Sequence, residues 1–330
     1  MASLTRRTVV AGAVLAPFAA RAQSSGQSSG QSWPSGPIRI IVPFPAGGSV
    51  DAVARLAQAG LQQRLGVSVV VENRSGASGS TGTALVAKSP PDGSTWLVTF
   101  DNHAVNPMLL PNFPFDNQKD LDPVSLIGTA PYMVATHPAK PYNALADVID
   151  AAKKAPGKVS YGSVGSGSIG HLAMVLLSKQ AGIELTHVPY RGGAPAVNDA
   201  LAGHIDLVNG SVALLTPHVA AGRLRPLWQH GAQRLPAHGT VPTIGEAGFP
   251  GAQASAWWGC YAPAKTPKEF IERFRTALVA SLREDKAARM LTESQQMNLL
   301  LTSPEALRKF ELEQTQIWGG VVRENGIKGE

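Results

Sequence analysis

Three times along this chain a strand-like run breaks into a loop of small residues that opens a helix. The clearest case is residues 38–55, IRIIVPFPAGGSVDAVAR, where an apolar run meets a proline- and glycine-rich turn and helical periodicity starts at Ser49. Ala46, Gly47 and Gly48 let a ligand approach the backbone, and the first N–H groups of a helix have no intrahelical acceptor, so they suit a carboxylate or phosphate. The design recurs in residues 73–88 (NRSGASGSTGTALVAK), after the strand-like VSVVVE, and in residues 161–177 (YGSVGSGSIGHLAMVLL). Few charged side chains lie in these loops, so the pattern points to binding by backbone and hydroxyl donors rather than to catalysis.

Strand-like and helix-like runs alternate through most of the chain: IRIIVPF, VSVVVE, TWLVTF, YMVATH, VSYGSV, LTHVPY, IDLVNG and LRPLWQ are each followed by a turn or an amphipathic segment. This predicts an α/β fold with mostly parallel sheets. Ser49 is a candidate N-cap. Val50, Val53, Ala54, Ala57, Leu61 and Leu65 form one apolar face, and Gly66 closes the helix. Residues 143–155 repeat the scheme and stop at Pro156-Gly157. After Pro263 the pattern is helical only, over 268–283, 286–294 and 304–323, and a helical tail must pack on something already built. Its return to the first domain would make the chain cross between domains twice, near 130–138 and 250–258, with a ligand held between the lobes.

The first 22 residues carry Arg6 and Arg7, an apolar run over 8–20 and the small-x-small site Ala20-Arg21-Ala22, the form of an export signal. The run is shorter than the ~20 apolar residues of a membrane span. The paired arginines leave the Sec and twin-arginine routes both open. Polar low-complexity sequence follows over 24–32, so residues 23–35 read as a flexible tether. Roughly 300 residues remain, more than one ordinary core accommodates. Removal of Arg6, Arg7 and Arg21 lowers the net charge from +6 to about +3, and a charged fraction of 16% argues against a polybasic, nucleic-acid-binding face. Cys260, the single cysteine, has apolar neighbours and reads as buried and structural.

The chain resembles the substrate-binding proteins of tripartite tricarboxylate transporters, the Bug family. The resemblance rests on PFPAGGSVDAVAR, VVVENRSGASGSTGTALVAKSPPDGST, DLDPVSLIGTAPYMV, APGKVSYGSVGSGSIGHLA, THVPYRGGAPAVNDALAGHIDL, VAAGRLRPLWQHGAQRLP, VPTIGEAGFPGA and WWGCYAPAKTP, eight ordered segments spanning almost the whole mature chain. It implies a type II periplasmic-binding-protein fold: two α/β lobes, an interlobe ligand cleft, and a C-terminal helical segment returning to lobe 1. Lobe 1 would be 36–132 plus 253–330 and lobe 2 would be 133–252. It further implies a monomeric, non-catalytic periplasmic receptor without cofactor or metal, which delivers a small organic acid to a membrane permease. The acid would be a mono- or dicarboxylate, an aromatic acid or an amino acid. Carried over residue by residue, the ligand-binding set is Ala46, Gly48, Ser49 and Asp51; Ala77, Ser78, Ser80 and Thr81; His103; Ser163, Gly165, Ser166, Ser168 and His171; Tyr190 and Arg191; and Asn209.

Two departures from the family pattern bear on the ligand. Gly170 stands where a second histidine is common, which reduces the donor set. Asp101 stands where a small hydroxyl residue is common, and an acid facing the cleft would repel a second carboxylate or attract an ammonium, favouring a monocarboxylate or an amino acid. Several residues carry a plainer reading beside the functional one. Asp51 in the first turn of a helix favours the dipole whether or not it meets a ligand. Arg191 is a ligand contact, an interlobe ion pair or a solvated cation. Trp257 and Trp258 pack at the hinge or stack on an aromatic ligand. His137, His187, His204, His218, His230 and His238 lack the spacing of a metal site. The rival is an exported NAD(P)-dependent oxidoreductase, because Gly165, Gly167 and Gly170 form G-x-G-x-x-G between a strand and a helix, with Glu184 downstream. No G-x-S-x-G elbow occurs between a strand-like and a helix-like run, the one such string being residues 26–30 of the polar tether, and neither S-x-x-K nor H-E-x-x-H occurs.

Overall fold

The computed structural model describes residues 1–2, 33–110 and 112–327. The export signal expected over 1–22 and the tether up to residue 32 lie outside the described residues, save the first two. Trp33, assigned to the tether from sequence, instead belongs to the fold: it is buried, stacks on Phe270 at 5.2 Å and lies under the Arg273 guanidinium at 5.4 Å.

The first lobe begins with β1 (Ile38–Val42), α1 (Ser49–Leu65), β2 (Val69–Asn73), α2 (Ser80–Ala87), β3 (Thr95–Phe100) and the single-turn α3 (Asn106–Leu109). β1 lies between β2 and β3, parallel to both, which buries its β-branched residues. A 16-residue strand, β4 (Leu121–Thr136), leads into the second lobe. There α4 (Leu145–Lys154), β5 (Ser160–Ser163), α5 (Ile169–Ala181), β6 (Thr186–Pro189), α6 (Gly193–Leu201), β7 (Leu207–Ser211), α7 (Val212–Ala220) and β8 (Arg225–Gln229) follow in turn. The chain returns through β9 (Ser255–Pro263) to α8 (Lys268–Leu282), α9 (Asp285–Arg289), a π-turn, β10 (Asn298–Leu299) and α10 (Pro304–Glu324).

The strand order is β2-β1-β3-β9-β4-β7-β5-β6, with β8 and β10 also on β4. The sheets are more mixed than the sequence suggests. β9 is antiparallel to β3 and β4, and β4 is antiparallel to β7, β8 and β10. β9 itself was not anticipated as a strand. Its WWGCYAP is buried on both faces and shows no period of two, and helix-rich sequence follows it. β4 changes partners between Pro131, its last pairing with β9, and Tyr132, its first with β7. At that step Tyr132 N donates to Ala254 O (3.3 Å), His230 N to Tyr132 O (2.7 Å) and Ala254 N to His230 O (3.0 Å), so three backbone segments are tied where the chain passes between lobes.

The helical tail covers the first lobe. α8 packs on α1, and Phe274 stacks on Trp96 with centroids 3.8 Å apart. α10 is anchored by Arg308, which donates to Leu121 O at 2.7 Å, and by Phe310 set edge-on to Trp257. Trp257, Trp258 and Cys260 are all fully buried in this core, and burial pushes the Cys260 thiol far up. One cap differs from expectation: Ser49 is the first helical residue of α1 and Gly48 the N-cap, so no side chain closes that helix start. No helix among the described residues is long and apolar enough to cross a membrane.

Candidate functional site

β1 ends in the Phe44–Gly48 loop and α1 begins beside it. Asp51, in the first turn, is nearly buried. Its Oδ2 accepts from Gly47 N (3.0 Å) and Arg55 Nε (2.9 Å), and its Oδ1 from Asn73 Nδ2 (2.9 Å). Burial would raise the Asp51 pKa, but these donors outweigh it and hold the carboxyl below the usual range. Asp51 thus braces the first loop against the end of β2, and its acceptor capacity is filled from within. Ala46 is exposed, while Gly48 and Ser49 lie at the α1 start.

In the second loop Ala77 and Ser78 both take left-handed backbone angles, with φ of 44° and 49°. Two consecutive non-glycine residues in that region cost roughly 1–2 kcal/mol each, so the surroundings must hold them there. Asn106 Nδ2 does so from one side, donating to Ser78 O at 2.9 Å. From the other, Ser78 Oγ donates to Ser166 O at 2.9 Å and joins the two lobes directly. Ser80 is buried at the α2 start and Thr81 is exposed. His103 faces away from this junction: it lies against Tyr261 and 3.4 Å from Glu311 of α10, inside the first lobe. Its neighbour Asn102, 1% exposed, carries a side-chain amide with no partner at either atom, 3.6 Å from where a Cβ on Gly165 would stand.

The whole segment from Tyr161 to Gly170 is buried. Ser163 Oγ donates to Gly165 O (3.1 Å) and lies 2.7 Å from His187 Nε2. His187 stacks on His171 with centroids 3.9 Å apart. Burial lowers both imidazoles, His171 to about 3 with help from His187, and His187 to about 4. Gly167 N donates to His171 Nδ1 at 3.0 Å, leaving the His171 proton on Nε2. Ser168 caps its own helix, accepting from His171 N at 3.2 Å. Asp101 Oδ1 takes Ile169 N at 3.4 Å, and its Oδ2 takes the Tyr132 hydroxyl at 2.6 Å. The Tyr132 ring lies directly over Gly170, where an added Cβ would stand 2.7 Å from Tyr132 Cδ1. Tyr190 donates to Asp199 at 2.6 Å, Asn209 Nδ2 to Gly170 O at 2.8 Å, and Arg191 is exposed with no hydrogen bond among the described residues.

A cavity of about 20 Å³ remains between the lobes, lined by Phe44, Gly48, Ser49, Val50, Phe100, Val164 and Gly193. That is room for about one water and not for an organic acid, so ligand entry requires the lobes to part. Two uncapped helix starts, those of α1 and α6, border it from opposite lobes. Larger hollows of about 960 Å³ and 320 Å³ lie against α10 and are walled by the first lobe alone, so filling them would not couple to closure. The G-x-G-x-x-G segment has no room for a dinucleotide. A Cβ on Gly167 would collide with Leu109, one on Gly170 would lie 2.7 Å from Tyr132 Cδ1, and the first amides of α5 are already engaged. This geometry does not support the oxidoreductase reading.

Sequence reasoning brought the three loops together but did not single out Asn102, Asn106, Phe44, Phe100 or Tyr132 as part of the site. The polar run 101–103 ending the fully buried β3 was the available signal for Asn102.

Two lobes of mixed sheet, joined by two long strands and meeting over small-residue helix starts, define the class of two-lobed solute-binding proteins. The chain belongs to the tripartite tricarboxylate transporter receptor family, whose model matches residues 53–327. It is 35% identical to the protein BugT of Bordetella pertussis over 318 residues, covering 96% of this chain and 97% of that one. The periplasmic binding protein BugD superposes with a TM-score of 0.85 at 29% identity, covering 90% of this chain and all of the other. The R. palustris protein Rpa4515, solved with adipate, gives a TM-score of 0.85 at 32% identity, again over 90% of this chain and all of that one.

Proposed function

We propose that this protein is a periplasmic receptor that captures a small organic carboxylate between its lobes and presents the closed form to a membrane permease. The observation that carries the reading is the convergence of the uncapped α1 and α6 starts, from opposite lobes, on one interlobe cavity. A carboxylate set there would accept from both lobes at once, and its free energy of binding would favour closure. Adipate in Rpa4515, at 32% identity, supports the ligand class. We place the lobes at 36–132 plus 253–330 and at 133–252, since β4 exchanges β9 for β7 between Pro131 and Tyr132. Ala46, Gly48, Ser49, Ala77, Ser78, Ser80 and Thr81 form the first-lobe side, and Ser163 to Gly167, Tyr190, Arg191 and the Gly193 amide the second, with Ser168 spent on its own helix start. His103, Asp51 and Asn209 serve as supports behind it.

Export with cleavage near Ala22 and a monomeric receptor complete the reading. The nearest approach to a nucleophile and base is Ser163 with His187. Its hydroxyl bonds Gly165 O, and its imidazole, lowered to about 4, is a weak base near neutral pH, which favours binding over catalysis. The test is isothermal titration calorimetry of the mature protein with mono-, di- and tricarboxylates, with NAD as control. Saturable binding of a carboxylate, with small-angle scattering showing a change in lobe separation, is the expected result. Heat with none of them would overturn the proposal.

A further inference from the structure

We propose that Asp101 and Tyr132 are a built-in occupant of the second lobe's α5 helix start, so that this receptor selects ligands with one carboxylate and an apolar body and discriminates against dicarboxylates. The inference rests on the carboxylate-receptor reading above.

The start of α5 offers nothing to a ligand. Its first amide goes to Asp101 Oδ1 (3.4 Å), its second residue, Gly170, is covered by the Tyr132 ring, its third amide goes to Ser168 Oγ (3.2 Å) and its fourth to Ser168 O (3.0 Å). Closure returns the occupant to the same place. Asp101 and Tyr132 are both fully buried and bonded to each other at 2.6 Å. The Tyr132 ring covers Gly170 closely, and the Tyr132 backbone belongs to the three-segment crossover. A carboxyl carried by the chain itself competes as an intramolecular ligand, and an incoming second carboxylate would have to displace it. Asp101 comes from the first lobe and α5 from the second, so the contact spans the interface that a ligand would span.

The remaining surfaces suit a monocarboxylate. The α1 and α6 starts are uncapped, and between them Phe44, Val50, Phe100 and Val164 present an apolar wall. Burial pushes Asp101 up to about 8, against the hydrogen bonds from Tyr132 and Ile169. In either protonation state its oxygen consumes the Ile169 amide, and the ionised form adds like-charge repulsion toward a second carboxylate.

Hexanoate and adipate have the same chain length and differ only in the distal carboxylate, so they are the probes, with benzoate as a second monocarboxylate. Calorimetry on the mature protein should show hexanoate or benzoate binding more tightly than adipate by about tenfold or more, the scale of one lost charge-assisted contact. Asp101→Ser should narrow that ratio by about tenfold. Tyr132→Phe keeps the ring over Gly170 and removes only the hydroxyl, so it serves if Asp101→Ser does not fold, and a narrowed ratio is again expected. Adipate binding wild type as tightly as hexanoate, or an unchanged ratio in the folded variants, would overturn this inference and leave the receptor reading intact. Heat from none of hexanoate, benzoate, adipate, malate and citrate would overturn both.

Discussion

His230 sits where the chain passes between lobes, and its protonation should loosen that junction. Trp228 Nε1 donates to its Nε2 at 3.1 Å, so Nδ1 carries the ring proton and donates to Ala252 O at 2.7 Å. A second proton on Nε2 would face the Trp228 N–H with no acceptor. Burial therefore lowers this fully enclosed imidazole from 6.5 to about 4, although the Ala252 carbonyl pulls the other way. Between those values the unfolded chain binds a proton that the native state refuses. The stability contribution is complete above about pH 6.5 and is lost as pH falls toward the folded pKa. From pH 7 to pH 5 the linkage gives a loss of about 2 kcal/mol from this residue. Urea unfolding of wild type and His230→Gln at both pH values measures it. The variant should be less stable at pH 7 by ~1–2 kcal/mol, from its altered hydrogen bonds. Its further loss on going to pH 5 should be smaller than that of wild type by about 2 kcal/mol. Equal losses in the two proteins would refute the argument, because the remaining histidines, including the His171–His187 stack, are common to both.

Other consequences can be checked singly. Ser78→Gly relieves a left-handed backbone angle worth ~1–2 kcal/mol but removes the hydroxyl that bonds Ser166 O, so the first lobe should gain stability while scattering shows a more open particle. A compact, unchanged profile would show that this bond does not hold the lobes. Gly170→Ala should cost ~1–3 kcal/mol or more, because its Cβ would lie 2.7 Å from Tyr132 Cδ1, and Tyr132→Ala in the same chain should make the alanine nearly neutral. Additive losses in that double-mutant cycle would contradict the packing argument. Phe274→Ala, which removes the stack on Trp96 and with it the seat of α8, should cost ~3–5 kcal/mol in denaturant unfolding.

Much of the architecture is legible locally. The alternation of strand-like and helix-like runs, the Gly66 stop and the helical tail after Pro263 depend on spacing and backbone preference within a dozen residues, and the structure places those elements with small shifts of boundary. The loops at 46–51, 77–81 and 163–171 were recognisable for the same reason, since glycine and small hydroxyl residues before a helix mark a close approach wherever they occur. Strand direction was not legible. β9 is buried on both faces and carries no alternation to reveal it, only the end of the long β4 (YMVATH) was readable as a strand, and the antiparallel pairing of the two joins residues more than a hundred positions apart.

The chemistry of the cleft divides in the same way. The resemblance to the family drew attention to Asp101 and Gly170, each as a single position considered by itself. That the two residues belong to one arrangement appears only in the fold. Tyr132, thirty-one residues beyond Asp101, fills the space left by the missing side chain at Gly170 and bonds the carboxyl, and the first amide of α5 is turned toward Asp101. Likewise His103 and His171 look equally available as sequence, yet one faces Glu311 in the first-lobe interior and the other stacks beneath the interlobe loop. Hydrogen-bond occupancy is a property of neighbours in space. A sequence can offer donors and acceptors, but only the tertiary structure decides which of them are already paired and which remain for a ligand.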